Sequence, residues 1–366
     1  MIIEQRFAAV IRERQVGVDG VTAQVLTAGE GVPLVLLHGD GDSPAVWQWV
    51  MPALARAHRV FAPSLPGHAD TDKPRRDYSR EYMTRFMRGF LDALGLDRCV
   101  LVGHSIGGLV ALRQALAEPD RFPALVLLDG AGLGPEVSPL LALESLPWAG
   151  EFAVATARSP FGGSLRALSR LSQLFWRYDR APASWLAEQR RLALLPGFLD
   201  ASIAAKRAVL GPWGQREVLL DQLHRLPMPT LVVWGANDAV VPVVHAHSAV
   251  RRLPHAELAV IPQCGSLPLR PGERLGHRQR HARRAVPEPL HPPPRATACS
   301  QIRAPGRAPR RSLRRGSRGA RERATRVSRG GARADSAVCL SPVRSGPRTR
   351  EALLARLRRW RRRAGA

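Results

Sequence analysis

The 366-residue chain carries 55 Lys and Arg against 30 Asp and Glu, a net charge of +25 that on whole-chain counts resembles a nucleic-acid binder. The excess sits at one end: residues 1–270 hold 28 basic and 25 acidic side chains (net +3), residues 271–366 hold 27 and 5 (net +22). Four cysteines without metal-ligand spacing argue against a disulfide framework or zinc module, no apolar run approaches the ~18 residues of a membrane span, and Glu4 and Arg6 interrupt any secretory signal, so a cytoplasmic protein is expected.

In chain order, Arg14–Val18 and Val21–Ala28 read as strands joined at Asp19-Gly20, a strong hairpin signal. Pro33–Leu37 is a compact apolar run ending at His38-Gly39, as a buried parallel strand would. Helical spacing over Ala45–Arg56 precedes a strand at His58–Leu65. Glu81–Leu94 is an amphipathic helix closed by Gly95. Arg98–Val102 is strand, Ile106–Ala117 helix and Ala124–Leu128 strand. The rhythm breaks between Gly130 and Leu226, a stretch with helical spacings, four tryptophans and no convincing strand. It resumes with Thr230–Trp234 (strand), Val243–Arg252 (helix) and Glu257–Ile261 (strand). Alternating strands and helices imply an α/β fold, a mostly parallel sheet covered by helices. The long interruption predicts a helical cap inserted into the pattern.

Gly103-His104-Ser105-Ile106-Gly107-Gly108 carries the most chemistry. A G-x-S-x-G between a buried strand and a helix forces a sharp turn that lifts the serine hydroxyl above the sheet, and the helix N-terminus favours a developing oxyanion. Ser105 is the candidate nucleophile.

With these residues the sequence resembles the α/β-hydrolase fold superfamily, of the capped serine hydrolase type, over about residues 15–265. Leu36-Leu37-His38-Gly39-Asp40-Gly41 is similar to its oxyanion turn. Pro63-Ser64-Leu65-Pro66-Gly67-His68-Ala69-Asp70 is similar to its next loop, with Ser64 and Ala69 as departures, and Trp234-Gly235-Ala236-Asn237-Asp238 to its acid loop. The resemblance implies that the amides of Asp40 and Ile106 form the oxyanion hole and that Asp238 orients a histidine, with Asp129 as an alternative acid. It implies no cofactor or metal. A serine needs an imidazole to take its proton, and where the family has histidine this chain reads Cys264-Gly265-Ser266. His245 and His247 lie on the helix after the acid loop, and His277 and His281 beyond the last strand. No intact triad can be written.

The expected organisation is a hydrolase core at 1–132 and 227–266, a cap at 133–226, and a tail at 267–366. From residue 271 on, 61 of 96 residues are Arg, Ala, Pro or Gly and the sole aromatic is Trp360, too little apolar material for a core. The tail reads either as a disordered basic extension, with 351–363 as a basic amphipathic helix for an anionic surface, or as a shifted reading frame. The expected function is a serine hydrolase acting on an ester, thioester, amide or activated carbon–carbon bond of a small, fairly apolar molecule, impaired by Ser266. The alternative is an inactive ligand or partner binder whose tail, if genuine, contacts nucleic acid or anionic membrane.

Overall fold

A computed structural model describes residues 1–74 and 78–268. Eight strands form one sheet: β1 (Arg12–Val18), β2 (Val21–Ala28), β3 (Val32–Leu37), β4 (His58–Pro63), β5 (Val100–His104), β6 (Leu125–Leu128), β7 (Thr230–Gly235) and β8 (Ala256–Ile261). Their order is β1-β2-β4-β3-β5-β6-β7-β8, with β1 and β2 antiparallel and the rest parallel from β4 onward. The hairpin turns at Asp19 and Gly20, both with positive φ (49° and 77°), as a two-residue turn of this type requires. β1 bears Arg12, Glu13 and Arg14, exposed charges that blunt the sheet edge.

The centre of the sheet is hydrophobic on both faces. The last four residues of β3, all of β6 and all of β7 are buried, as expected for parallel strands covered by helices. Helix α1 (Arg80–Ala93) buries Tyr82, Phe86, Met87 and Phe90. Helix α2 (Ile106–Ala117) is apolar nearly all round and almost wholly buried. Register aligns the carboxyl ends: Leu37 pairs with Gly103, His104 with Leu128, and Gly235 with Ile261. The loops leaving β3, β5, β6, β7 and β8 therefore emerge together, where ligand sites of such sheets form.

Between β6 and β7 the chain is mainly helical: α3 (Pro139–Glu144), α4 (Ala149–Arg158), α5 (Gly162–Leu174), α6 (Ala183–Leu194) and α7 (Phe198–Val209). The expectation of no strand here is corrected by a two-residue ribbon, Leu210–Gly211 against Gly214–Gln215. The helix expected over Ala45–Arg56 is also not continuous. A short 3₁₀ turn, Pro44–Trp47, is followed by Met51–Leu54. Pro52 has no N–H for the carbonyl four residues back, and its ring would clash with it. Helix α8 (Val244–Val250) packs against β7 and β8. Leu267 is buried in the main core although composition assigned it to the tail. The expectations for the remaining tail, including 351–363, His277 and His281, lie outside the described residues.

Candidate active site

Ser105 stands between β5 and α2 with φ 52° and ψ −119°, a conformation that costs a non-glycine residue on the order of 1–3 kcal/mol. The surroundings hold it there. Its N–H donates to the Leu128 carbonyl (3.0 Å), and its own carbonyl accepts from Gly108 (2.9 Å) and Ala131 (3.0 Å). The two flanking glycines are steric necessities. A Cβ at Gly103 would lie 2.4 Å from the Gly107 carbonyl oxygen, and one at Gly107 would lie 2.4 Å from that of Leu37. Ile106 is the first residue of α2, where a helix amide has no intrahelical acceptor.

The turn after β3 runs directly alongside. A Cβ at Gly39 would come within 3.1 Å of the Ser105 Cβ. His38 anchors the turn as a neutral imidazole: its Nδ1 donates to the Gly39 carbonyl (2.8 Å) and its Nε2 accepts from the Leu65 N–H (3.1 Å). Burial, reinforced by nearby His68, lowers its pKa to about 3. From α5, Arg170 donates to the Asp40 carbonyl (2.7 Å) and Arg166 to that of Gly41 (2.9 Å).

The Asp40 carboxylate faces basic groups, with Lys206 at 3.6 Å and His68 at 3.9 Å. Burial pushes its pKa up, but Lys206, His68 and Arg170 together hold it well below the usual carboxylate range. The negative charge of Asp40 is thus met by the neighbouring Lys206 and Arg170.

Asp238 follows β7. Its Oδ1 accepts from the amides of Val240 (2.7 Å) and Val241 (3.0 Å). Asp129 follows β6, also with positive φ, and its Oδ1 accepts from the Gly235 amide (2.8 Å). The two carboxyls interact. Burial raises Asp238 to about 6 against the pull of its two amides, and burial together with the Asp238 charge raises Asp129 well above its ordinary value. The pair therefore keeps a proton at pH values where exposed aspartate has lost it.

Ser266 completes this cluster. The Asn237 amide donates to the Cys264 carbonyl (2.9 Å), stitching the acid loop to the loop after β8. The Ser266 carbonyl accepts from His104 Nε2 at 2.6 Å. Its hydroxyl lies near enough to Asp238 to favour the charged carboxylate. Yet Ser266 Oγ, Asp238 Oδ2 and Asp129 Oδ2 are all buried without a hydrogen bond of standard geometry, which buried polar atoms rarely are.

Among the described residues, His104 and His245 are both engaged elsewhere. His104 is neutral, its pKa lowered to about 4 by burial, and its Nε2 proton is committed to Ser266. His245 is buried, its Nε2 2.6 Å from Glu136, while His247 is exposed. The structure brings the turn that bears Asp40 alongside Ser105, and Asp238 together with Asp129 and Ser266. Sequence reasoning missed Arg166, Arg170 and Lys206, single basic residues on helices with no motif to mark them.

Among the described residues no group of three or more His, Cys, Asp or Glu side chains could hold a metal ion, and no helix is long and apolar enough to cross a membrane. A family model for the alpha/beta hydrolase fold matches residues 32–269. The uncharacterized protein Rv2715 of Mycobacterium tuberculosis H37Rv is 32% identical over 257 residues, 69% of this chain and 74% of that protein. A 2-hydroxymuconate semialdehyde hydrolase of Pseudomonas sp. CF600 is 30% identical over 259 residues, 69% of this chain and 86% of that protein. The solved structure of a serine hydrolase involved in carbazole degradation is 26% identical with a TM-score of 0.59, covering 71% of this chain and 93% of that one. The chain belongs to the α/β-hydrolase fold family.

Proposed function

We propose that the chain is a serine hydrolase in construction, with a core of residues 1–132 and 227–266 beneath a cap of 133–226, and that Ser266 stands where its base should be. Ser105 Oγ attacks a carbonyl carbon while the amides of Asp40 and Ile106 receive the oxyanion. In a complete site of this kind the serine proton would pass to an imidazole oriented by Asp238, which would return it to the leaving group before water releases the acyl-enzyme; with serine at 266 this chain has no imidazole in that place. The observation that carries the reading is the place of Ser266: its carbonyl is bonded to the residue preceding Ser105, and its hydroxyl faces Asp238. A side chain at this position stands beside the acid on a segment tied to the residue before the nucleophile, and a serine there leaves buried oxygens without hydrogen bonds of standard geometry.

Two of the relatives support the substrate class. The Pseudomonas protein is named for hydrolysis of 2-hydroxymuconate semialdehyde, and a Burkholderia cepacia relative, 29% identical, for 2-hydroxy-6-oxo-6-phenylhexa-2,4-dienoate. Small, partly apolar molecules with an ester or activated carbon–carbon bond suit an insertion rich in Leu and aromatic residues. Because a hydroxyl is no base near neutral pH, catalysis falls to the residue left by the oxyanion hole and binding, ~10³–10⁴ over water. Introducing histidine at 266 and measuring p-nitrophenyl ester hydrolysis tests this. A second reading, a ligand binder without turnover, is favoured by the same serine and takes over if the imidazole restores nothing.

A further inference from the structure

The helical insertion contains a cavity of about 350 Å³ that does not include Ser105, within the size range of small-molecule sites. Its walls are apolar, from Leu141, Val154, Leu199 and Ile203. Leu140, Leu143, Phe152 and Leu165 also line it and are 42–75% exposed, which makes an apolar mouth. Three cations, Arg166, Arg170 and Lys206, line the same cavity against one carboxylate, Glu144.

The counter-charges are unevenly placed. Lys206 is paired with Glu144 and with Asp40. The two arginines bond only neutral acceptors: Arg166 the Gly41 carbonyl, the Gln189 carbonyl and the Gln189 side-chain oxygen, and Arg170 the Asp40 carbonyl. Asp40 and Asp42 contribute to their field but are not part of the lining. The Nε of Arg170 is buried with no hydrogen-bond partner. Burial and the neighbouring Arg170 lower Arg166 to about 9, so it stays charged at neutral pH.

We propose that this cavity is a binding site for a single-chain amphipathic acid, its carboxylate accepting from Arg170 and the Arg166–Lys206 group and its chain lying along the apolar walls toward the mouth. A neutral apolar ligand would leave the two arginines bonded to neutral acceptors alone, and a cationic one would meet like charges. A carboxylate supplies the counter-charge through charge-assisted bonds. Binding here does not depend on the hydrolytic reading.

Isothermal titration of the full chain with sodium decanoate below its micellar concentration, beside decanol and decyltrimethylammonium, tests the site. Decanoate binds saturably and about tenfold or more tighter than decanol, roughly the contribution of one charge-assisted bond, and the ammonium does not bind. Arg170→Gln, which keeps a donor for the Asp40 carbonyl, loses this preference, and Val154→Trp, which fills the cavity, loses binding of both ligands. Ser105→Ala binds like the parent, so failure here leaves the hydrolase reading standing. Should Arg170→Gln fail to fold, the discrimination by the unaltered protein still decides. Decanoate binding no tighter than decanol, equal decanoate affinity in folded Arg170→Gln, or decanoate binding that survives Val154→Trp would overturn the proposal.

Discussion

His104 Nε2 donates to the Ser266 carbonyl across 2.6 Å, tying the residue before Ser105 to the loop that follows the last strand. The bond joins positions 162 residues apart and holds the backbone of residue 266 against the residue before Ser105. It also makes His104 a structural element: its donor is used and burial keeps it neutral. The acid loop is held to the same segment through Asn237 and Cys264, so Asp238, Ser266 and the turn bearing Ser105 belong to one hydrogen-bonded frame.

Labelling tests the place of the nucleophile. If Ser105 is the nucleophile of a site with serine in place of its base, a fluorophosphonate probe should modify Ser105 slowly and no other serine. Peptide mapping reads the site. Unchanged labelling in Ser105→Ala would remove Ser105 from the mechanism.

The elbow should tolerate no side chain at its inner glycine. In Gly107→Ala the new Cβ would stand 2.4 Å from the Leu37 carbonyl, backbone that cannot step aside. Overpacking of this kind costs ~1–3 kcal/mol and more against rigid backbone, so urea unfolding should show a loss of at least about 3 kcal/mol. A stability within 0.5 kcal/mol of the parent, roughly the range of surface substitutions, would contradict the described strand-to-helix turn.

Much of this architecture was legible in the sequence, and the misses have physical causes. Buried parallel strands such as Leu125–Leu128 and Thr230–Gly235 announce themselves as apolar runs, and Ile106–Ala117 follows its motif. Apolar spacing over 45–56 predicts one helix, but Pro52 breaks it into two short turns. The positions of Asp238 and Ser266 could be named from their loops. Their relation to Asp129 could not, because the juxtaposition depends on the register of β6 and β7. Arg166 and Arg170 were invisible for a similar reason: what distinguishes them among 53 arginines is contact with the carbonyls of Asp40 and Gly41, about 130 residues away.

The paired carboxyls should shape stability with pH. Their folded-state pKa values are raised, so the stability they contribute is fully present below the ordinary aspartate value near 4 and is lost as pH rises through about 6 and beyond. Asp129→Asn keeps an oxygen for the Gly235 amide and supplies an N–H toward Asp238 without an ionisable proton. Relative to the parent, the variant should therefore gain stability as pH rises from 5 to 8, with a slope of at most ~1.4 kcal/mol per unit for one proton. Urea titrations at several pH values give the difference. Parallel curves for the two proteins would show that the pair holds no extra proton.

The most direct measurement is p-nitrophenyl ester hydrolysis by Ser266→His, compared with the parent and with Ser266→His/Ser105→Ala, each shown by circular dichroism to be folded. The loop after β8 is anchored by His104 and Asn237, so a histidine at 266 would stand beside Asp238 on the segment tied to the residue before Ser105. Turnover should rise by orders of magnitude, follow an inflection near the histidine pKa of ~6.5, and vanish in the double variant. A folded Ser266→His protein no more active than its parent, or one whose gain survives loss of Ser105, would contradict the account.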